Sequence, residues 1–182
     1  VYTTPPLDET LVMVGPASAD LWLASTAPDV DVQVTLTEIR PDGMEVYVQN
    51  GWLRASRRFL DEAASTELRP VSTHLAEDAA PLTPGEPALL RVEIYPFAHV
   101  FRAGSRLRLS VEAPGGTRPR WRFASLDYDE EVLNTVYRSA SLPSRLVLPV
   151  IPDVDVPPAL PSCPGLRGQP CRAVEATADA AR

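Results

Sequence analysis

The sequence contains no lysine, only nine glycines and two histidines, and no long apolar segment. Because it lacks a run of roughly 18 apolar residues, we predict no membrane-spanning helix. All 17 basic residues are arginines, and 24 acidic residues outnumber them, which gives a formal net charge of −7. This negative charge argues against a general nucleic-acid binder, because phosphate contacts require a basic face. We therefore expect neither a nucleic-acid nor a membrane partner.

Motifs for catalysis and cofactor binding are also absent. The sequence has no Gly-x-Ser-x-Gly nucleophile turn, no His-Glu-x-x-His, no Walker loop and no Gly-x-Gly-x-x-Gly. His74 and His99 are the only candidate imidazole bases, and neither has an identifiable nucleophile nearby in the sequence. We interpret His99 as a structural imidazole beside apolar neighbours and His74 as a loop residue. The sequence thus predicts no catalytic, cofactor-binding or metal residue.

Two cysteines, Cys163 and Cys171, flank a turn-rich segment near the end of the chain. This spacing predicts a local disulfide, with two unpaired thiols as the alternative. No other Cys or His lies nearby in the sequence to complete a four-ligand metal site. A disulfide would place the protein outside the reducing cytosol, so we expect an extracellular or secreted protein, with the cytoplasm as the alternative.

Short segments with a two-residue period fill most of the chain. Residues 30–39 and 45–50 alternate apolar and polar side chains around Pro41-Asp42-Gly43, which predicts a β-hairpin. The other predicted strands are 11–14, 19–24, 52–59, 88–95, 106–111, 133–137 and 144–150, and 98–101 is a short further segment. Gly15-Pro16 and Asn50-Gly51 are interpreted as breaks between strands, and residues 61–66 as one helical turn. About nine short strands and 20 prolines predict an all-β fold, a jelly-roll β-sandwich.

The two ends of the chain differ from its middle. The first residues lack the regions of a signal peptide and there is no initiator Met, so we expect a mature or excised piece of a longer protein. Beyond residue 152 the composition becomes rich in Pro and Ala. We therefore predict a sandwich domain at 1–152, followed by a linker and irregular tail with the disulfide at 153–182.

Clusters of charged and aromatic residues leave alternatives open. The acidic run 127–131 could bind Ca²⁺, but it lacks the spacing of a known motif, and a solvated loop is favoured. Arginines group at 54–58, 106–108 and 118–122, where they are either solvated or dock another domain through salt links. Trp22, between two leucines, is predicted to fill the core, whereas Trp52 and Trp121 would have to be exposed to serve as sugar-stacking platforms.

A series of motifs then follows the order of a known family. They lie at 11–16, 21–32, 36–43, 51–58, 84–86, 98–109 and 143–150, and the run at 98–109 reads AHVFRAGSRLRL. Over roughly residues 2–152 they resemble the C-terminal domain of the X-Pro dipeptidyl-peptidase, cocaine-esterase and α-amino-acid ester hydrolase family of serine hydrolases. The family-motif positions, implied to be structural or domain-docking, are Asp29, Asp31, Asp42, Gly43, His99, Phe101, Gly104, Arg106, Arg108, Pro143 and Ser144.

The resemblance implies a galactose-binding-like jelly roll without catalytic residues of its own. In that family the Ser-Asp-His triad lies in a separate α/β-hydrolase domain, which would be the partner of this domain within the parent chain. The family often has His where Ser105 stands here. We therefore expect a non-catalytic domain that supports the catalytic domain and its substrate entrance in a peptidase, esterase or acylase. A carbohydrate-binding module and a free-standing interaction domain are the alternatives, and the chain could form a homo-oligomer.

Overall fold

A computed structural model describes residues 1–114, 126–164 and 171–174. These ranges hold ten strands and a 3-10 turn at Ala55–Arg57. The strands are β1 (Tyr2–Thr3), β2 (Leu11–Ser25), β3 (Asp31–Ile39), β4 (Met44–Arg54), β5 (Ala88–Phe101), β6 (Arg106–Glu112), β7 (Asn134–Tyr137), β8 (Arg145–Val147), β9 (Val150–Ile151) and β10 (Cys171–Ala173). No helix in the described ranges is long and apolar enough to cross a membrane.

The strands form two antiparallel sheets. The first sheet has the order β1-β6-β3-β4-β10, and the second has the order β5-β2-β7, with β8 and β9 also pairing with β2. The strand pairs of both sheets are antiparallel. The all-β sandwich predicted from the sequence is therefore confirmed. The tail contributes to it, because β10 pairs with the start of β4.

The predicted hairpin is present as β3 and β4. At its turn, the backbone N–H of Gly43 donates to the carbonyl of Arg40 at 3.0 Å, and that of Arg40 donates to Met44 at 2.8 Å. Gly43 has φ +79°, a left-handed conformation that glycine adopts without a steric penalty. The Asp-Gly pair thus fixes the register of the hairpin.

Three expected breaks are instead continuous strand, and one of them lies between the segments 88–95 and 98–101, where β5 runs unbroken from Ala88 to Phe101. At Gly15-Pro16, β2 runs on through a β-bulge between Gly15 and Ala17, which accommodates the missing N–H of proline. At Asn50-Gly51, β4 continues to Arg54. A Cβ on Gly51 would overlap the carbonyl oxygen of Glu93, so this glycine allows β5 to approach β4 rather than turning the chain. The strand predicted at 52–59 accordingly ends at Arg54.

The core lies between the inner faces of the two sheets. The larger cluster includes Leu21, Leu23, Val34, Leu90 and Ile94, all 2% exposed or less. A smaller cluster at one end contains Met13, Leu36, Val48, Phe101 and Leu107. Each fully buried side chain of this size contributes about 1.5–3 kcal/mol relative to its exposed state.

Trp22 does not belong to this core. The flanking Leu21 and Leu23 face the other sheet, and neighbouring residues of a strand point to opposite faces. Trp22 is therefore half-buried on the outer face, opposite Tyr137 of β7. The prediction of a core tryptophan was wrong, because a strand residue that lies between two inward-facing leucines itself faces outward.

Candidate functional site

His99 takes part in a buried polar cluster between the sheets. Its Nε2 lies 2.8 Å from Oε2 of Glu38, and the hydroxyl of Ser105 donates to Oε1 of Glu38 at 2.6 Å. The ring of His99 meets Phe101 edge to face, with centroids 4.7 Å apart. Burial alone raises the pKa of Glu38, but hydrogen bonds from His99 and Ser105 and the nearby charge of Arg40 outweigh it, so this pKa lies below its ordinary value.

This cluster contains Ser, His and Glu but is not arranged for nucleophilic catalysis. The hydroxyl of Ser105 donates to the carboxylate of Glu38 rather than to the imidazole of His99, and Ser105 is fully buried. In the ranges that the structure describes, neither His74 nor His99 forms a hydrogen bond with a hydroxyl. A serine nucleophile needs a base within hydrogen-bond reach and access to substrate. The arrangement instead ties β5, β3 and the loop before β6 together.

Asp29 and Asp31 lie at the start of β3 and organise one end of the sandwich. Asp29 accepts hydrogen bonds from the backbone N–H and the hydroxyl of Ser56, at 2.8 and 2.6 Å. Asp31 forms a bidentate pair with Arg54 across the β3–β4 ladder, at 2.7 and 2.9 Å. This pair raises the pKa of Arg54 above its ordinary value. Both carboxylates are thus occupied in holding strand ends.

The acidic run 127–131 lies against the same end. With residues 26–29 it lines an open cavity of about 570 Å³. The hydroxyl of Tyr128 donates to the carbonyl of Asp29 at 3.1 Å, and burial together with the charges of Asp31 and Asp29 raises the pKa of Tyr128. Within the described ranges, no group of three or more His, Cys, Asp or Glu residues is arranged to hold a metal ion.

The hairpin turn and the turn before β6 pack on each other. Asp42 accepts a hydrogen bond from Arg40 at 2.6 Å, which steadies the turn that Gly43 completes. Gly104 has φ +83°, and a Cβ there would lie 3.3 Å from Cγ of Pro41. These motif residues therefore shape two adjacent turns.

Arg106 and Arg108 anchor the first strand of the chain. Arg106 donates to the carbonyl of Thr4 at 3.1 Å, and Arg108 donates to the hydroxyl of Thr3 at 3.2 Å. Arg108 also lies 3.4 Å from the buried carboxylate of Glu45. Both motif arginines thus fasten β1 to the edge of the first sheet.

Pro143 and Ser144 perform a similar task on the second sheet. Pro143 forms a bridge with Arg138, and the hydroxyl of Ser144 accepts the backbone N–H of Trp22 at 2.9 Å. Cys163 and Cys171 are joined by a disulfide, which leads directly into β10. The arginines at 118–122 and Trp121 lie outside the described residues.

Sequence reasoning missed three buried carboxylates that organise the molecule. Asp20 accepts from Ser18, Arg91 and Arg145, and Glu45 accepts from Thr37 and Arg172. Burial raises the pKa of Glu45, but these hydrogen bonds and the charge of Arg108 bring it below its ordinary value. A signal was present for Glu38, which occupies the same parity as the apolar residues Val30 to Leu36 and therefore had to point inward.

Comparisons with known proteins agree with this architecture. Residues 1–147 match the family described as the X-Pro dipeptidyl-peptidase C-terminal non-catalytic domain. A Mycobacterium bovis protein named as a serine esterase is 34% identical over 152 residues, which are 82% of this chain but only 23% of the relative. The chain therefore spans about a quarter of the curated relatives' length.

Solved structures show the same fold. A CocE/NonD family hydrolase from Staphylococcus aureus superposes with a TM-score of 0.70 at 23% identity, covering 82% of this chain and 30% of that one. An α-amino acid ester hydrolase superposes with a TM-score of 0.62 at 21% identity, covering 82% and 25%. Because the family match extends over residues 1–147, the chain belongs to the X-Pro dipeptidyl-peptidase C-terminal non-catalytic domain family.

Proposed function

We propose that this chain is the accessory domain of a serine hydrolase and that an α/β-hydrolase domain of the same polypeptide performs the catalysis. The match of residues 1–147 to a non-catalytic domain family carries the proposal. The matched region is 23% of the relative named as a serine esterase and 30% of the one named as a hydrolase, which leaves room for a catalytic domain. The parent enzyme would cleave ester or amide bonds, including those that release X-Pro dipeptides.

The bonding of the motif residues supports a non-catalytic role. His99, Asp29, Asp31 and Ser144 are each engaged in hydrogen bonds that join strands or turns. Catalytic groups need exposed, convergent geometry around a reacting atom. We therefore assign these positions to maintaining the surface on which the catalytic domain packs.

The outer face of the second sheet offers such a surface. Val12, Val14, Ala98, Val100 and Ile151 share this face by their pairing register, and we call them the apolar strip. Val14 is 50% and Ile151 40% exposed. Contiguous exposed apolar side chains mark interaction sites. Farther along β2, the chain around Glu67 already covers the same face near Asp20, through contacts with Arg91 and Arg145. We propose that the catalytic domain covers the apolar strip in the same way.

The first test is on the chain itself. Purified chain should hydrolyse p-nitrophenyl acetate and an X-Pro p-nitroanilide no faster than a heat-denatured sample. Turnover above that background would contradict the proposal, and its loss in His99→Ala would place the catalytic site in this chain. The same reading frame should encode an upstream Gly-x-Ser-x-Gly motif.

The second test concerns the apolar strip in the longer protein. Val14→Arg should lower the thermal stability of the complete enzyme and its kcat/KM, because it buries a charge at the domain interface. Val154→Arg is the matched control, since Val154 is 43% exposed in the tail. Equal behaviour of the two variants would contradict docking through the strip.

Cellular location, self-association and sugar binding can each be measured directly. The disulfide favours an extracellular location, which fractionation of the source cells tests. Sedimentation velocity would show whether the chain forms a homo-oligomer. For the carbohydrate-binding alternative, Trp52 is half-buried, bonds to Gln33 at 2.8 Å and packs near Tyr95, and a glycan titration decides whether this pair receives sugar.

A further inference from the structure

The sandwich closes on one side and opens on the other. At the closed side, β5 lies against β4 at Gly51 without space for a Cβ. At the open side, the edge formed by β1 and β6 faces the edge formed by β7 and β8, and a cavity of about 250 Å³ lies between them. Its apolar wall consists of Leu21, Leu107, Leu109, Val136 and Leu146.

Polar side chains also line this cavity. Tyr2, Thr3, Thr4 and Ser144 bring hydroxyl groups, and Arg138 and Arg145 bring guanidinium groups. A cavity with apolar walls and a few convergent polar groups has the composition of a small-molecule site. The volume lies below the range of about 300–1,000 Å³ that is usual for such sites, so only a small ligand is expected.

The charged side chains that line the cavity favour an anionic ligand. Arg145 is neutralised by Asp20 and Glu67, at 3.0 Å each. Arg138 lies over the ring of Tyr2 at 4.9 Å, and it has no carboxylate partner within the described ranges. The chain as a whole carries a net charge of −7, so an unbalanced guanidinium group beside an apolar cavity is a local exception.

We propose that this cavity binds a small monocarboxylate with an apolar body of about six to eight carbons. The alkyl or aryl group lies among the leucines, and the carboxylate accepts hydrogen bonds from Arg138, whose planar fork matches its two oxygens. A single unbalanced guanidinium at the cavity itself suits a single carboxylate. This site is separate from the apolar strip, so it stands without the proposed docking to a catalytic domain.

Titration of the purified chain with a carboxylate series tests the proposal. Butyrate, hexanoate and octanoate, followed by calorimetry and by methyl NMR shifts of Leu21 and Leu107, should bind with Kd falling about fourfold for each added methylene (about 0.8 kcal/mol per CH₂). Octylamine should bind more weakly than octanoate by at least about tenfold, since its charge is repelled by Arg138. Equal affinity for the two would overturn the carboxylate assignment.

Variants separate the cavity from unspecific binding. Arg138→Gln should weaken octanoate binding at least about tenfold, the effect of losing a hydrogen bond to a charged group. Leu146→Phe, which fills the cavity, should weaken octanoate more than butyrate. Arg57→Gln removes the same charge beside a different cavity and should leave Kd unchanged.

Several results would refute the proposed carboxylate site. Absence of saturable binding in the millimolar range, or equal Kd for Arg138→Gln and the unsubstituted chain, would refute the site and leave the cavity to side chains from another domain. Should Leu146→Phe fail to unfold cooperatively, Val136→Leu supplies a smaller filling of the same wall. Unchanged octanoate affinity in a folded filling variant would likewise refute the site.

Discussion

Individual buried acids, each surrounded by donors, organise this molecule more than any pair of charges at its surface. Glu38 is 3% and Asp20 and Glu45 are each 4% exposed. A buried carboxylate is tolerated only when hydrogen bonds and opposite charges replace water. Each of the three receives at least two such partners from other strands or loops, so each acts as a cross-link whose loss leaves several donors unsatisfied.

The Glu38 cross-link predicts a pH-dependent stability. The pKa of Glu38 is lower in the folded chain than its ordinary value of about 4.3. The stabilisation that ionised Glu38 provides is therefore fully present above about pH 4.3 and is lost as the pH falls through the folded pKa. Glu38→Gln should therefore cost about 1–3 kcal/mol near pH 6, with the difference from the unsubstituted chain shrinking toward pH 3. Urea unfolding at a series of pH values measures this difference.

Glu130→Gln is the matched control for this experiment. Glu130 is exposed and lies in the acidic loop, so its substitution should change stability by less than about 0.5 kcal/mol at every pH. Groups facing Glu38 are His99 from β5, Ser105 from the loop before β6 and Arg40 at the end of its own strand. A destabilisation by Glu38→Gln that stays constant from pH 6 to pH 3 would refute the ionised cross-link.

Gly51 is required for a different physical reason. A methyl group there meets the backbone of Glu93 and Ile94, so Gly51→Ala should force the sheets apart and cost about 3 kcal/mol or more. Gly85→Ala is a useful comparison, because Gly85 has φ +83° and open space and should cost only about 1–2 kcal/mol of backbone strain. Chemical denaturation of both variants measures which one loses more free energy of unfolding. A smaller loss for Gly51→Ala would show that β5 can shift without cost.

At the scale of strands, the sequence predicted element type better than element length. Alternation of side chains located β3, the start of β4, β5 and β6 because each has one buried face. The prediction divided the long β2 at Gly15-Pro16, because glycine and proline are typical of turns as well as of β-bulges. Only the pairing of β2 with β5 distinguishes the two. The partners of Asp20 are 71 and 125 residues away, and no local pattern encodes such distances.

The segment 58–87 lacks long strands yet lies fixed against the second sheet. Arg91 of β5 pairs with Asp20 and donates to the carbonyls of Thr66 and Glu67, at 3.2 and 3.0 Å. A short bridge between Leu60 and Ser72 closes the same segment. Backbone hydrogen bonds link Asp61 to Val71 and Thr73 to Phe59 within the segment, whereas the attachment of residues 66–67 to the second sheet depends on Arg91.

This dependence predicts local opening when Arg91 is removed. Arg91→Ala should increase chymotryptic cleavage after Leu68 by about tenfold under native conditions, because the loss of about 1.4 kcal/mol of local bonding raises the open population by that factor. Arg102→Ala, which loses a bond to the tail carbonyl of Pro157, is the control, and equal cleavage in both variants would contradict the assignment.

At the scale of the whole molecule, the two sheets and the tail contribute unequally. Every residue of both core clusters lies before residue 150, whereas the tail supplies β10, the Arg172–Glu45 pair and the carbonyl of Pro161 that Arg40 contacts. Arg172 is 76% exposed, so its pair with Glu45 is weakened by solvent. The hydrophobic stabilisation therefore resides in the sandwich, and the tail adds hydrogen bonds at the edge of β4.

The chain cut after residue 152 should consequently remain folded. Each lost hydrogen bond lowers the free energy of unfolding by about 0.5–1.5 kcal/mol, but the two core clusters, which supply the hydrophobic stabilisation, stay intact. Urea unfolding should show one cooperative transition at a lower midpoint. The full chain with Cys163→Ser and Cys171→Ser should unfold between the truncated and unsubstituted chains, since it keeps β10 without its cross-link. Non-cooperative unfolding of residues 1–152 would place the tail within the folding unit, because the edge of β4 would then need β10 to hold its register.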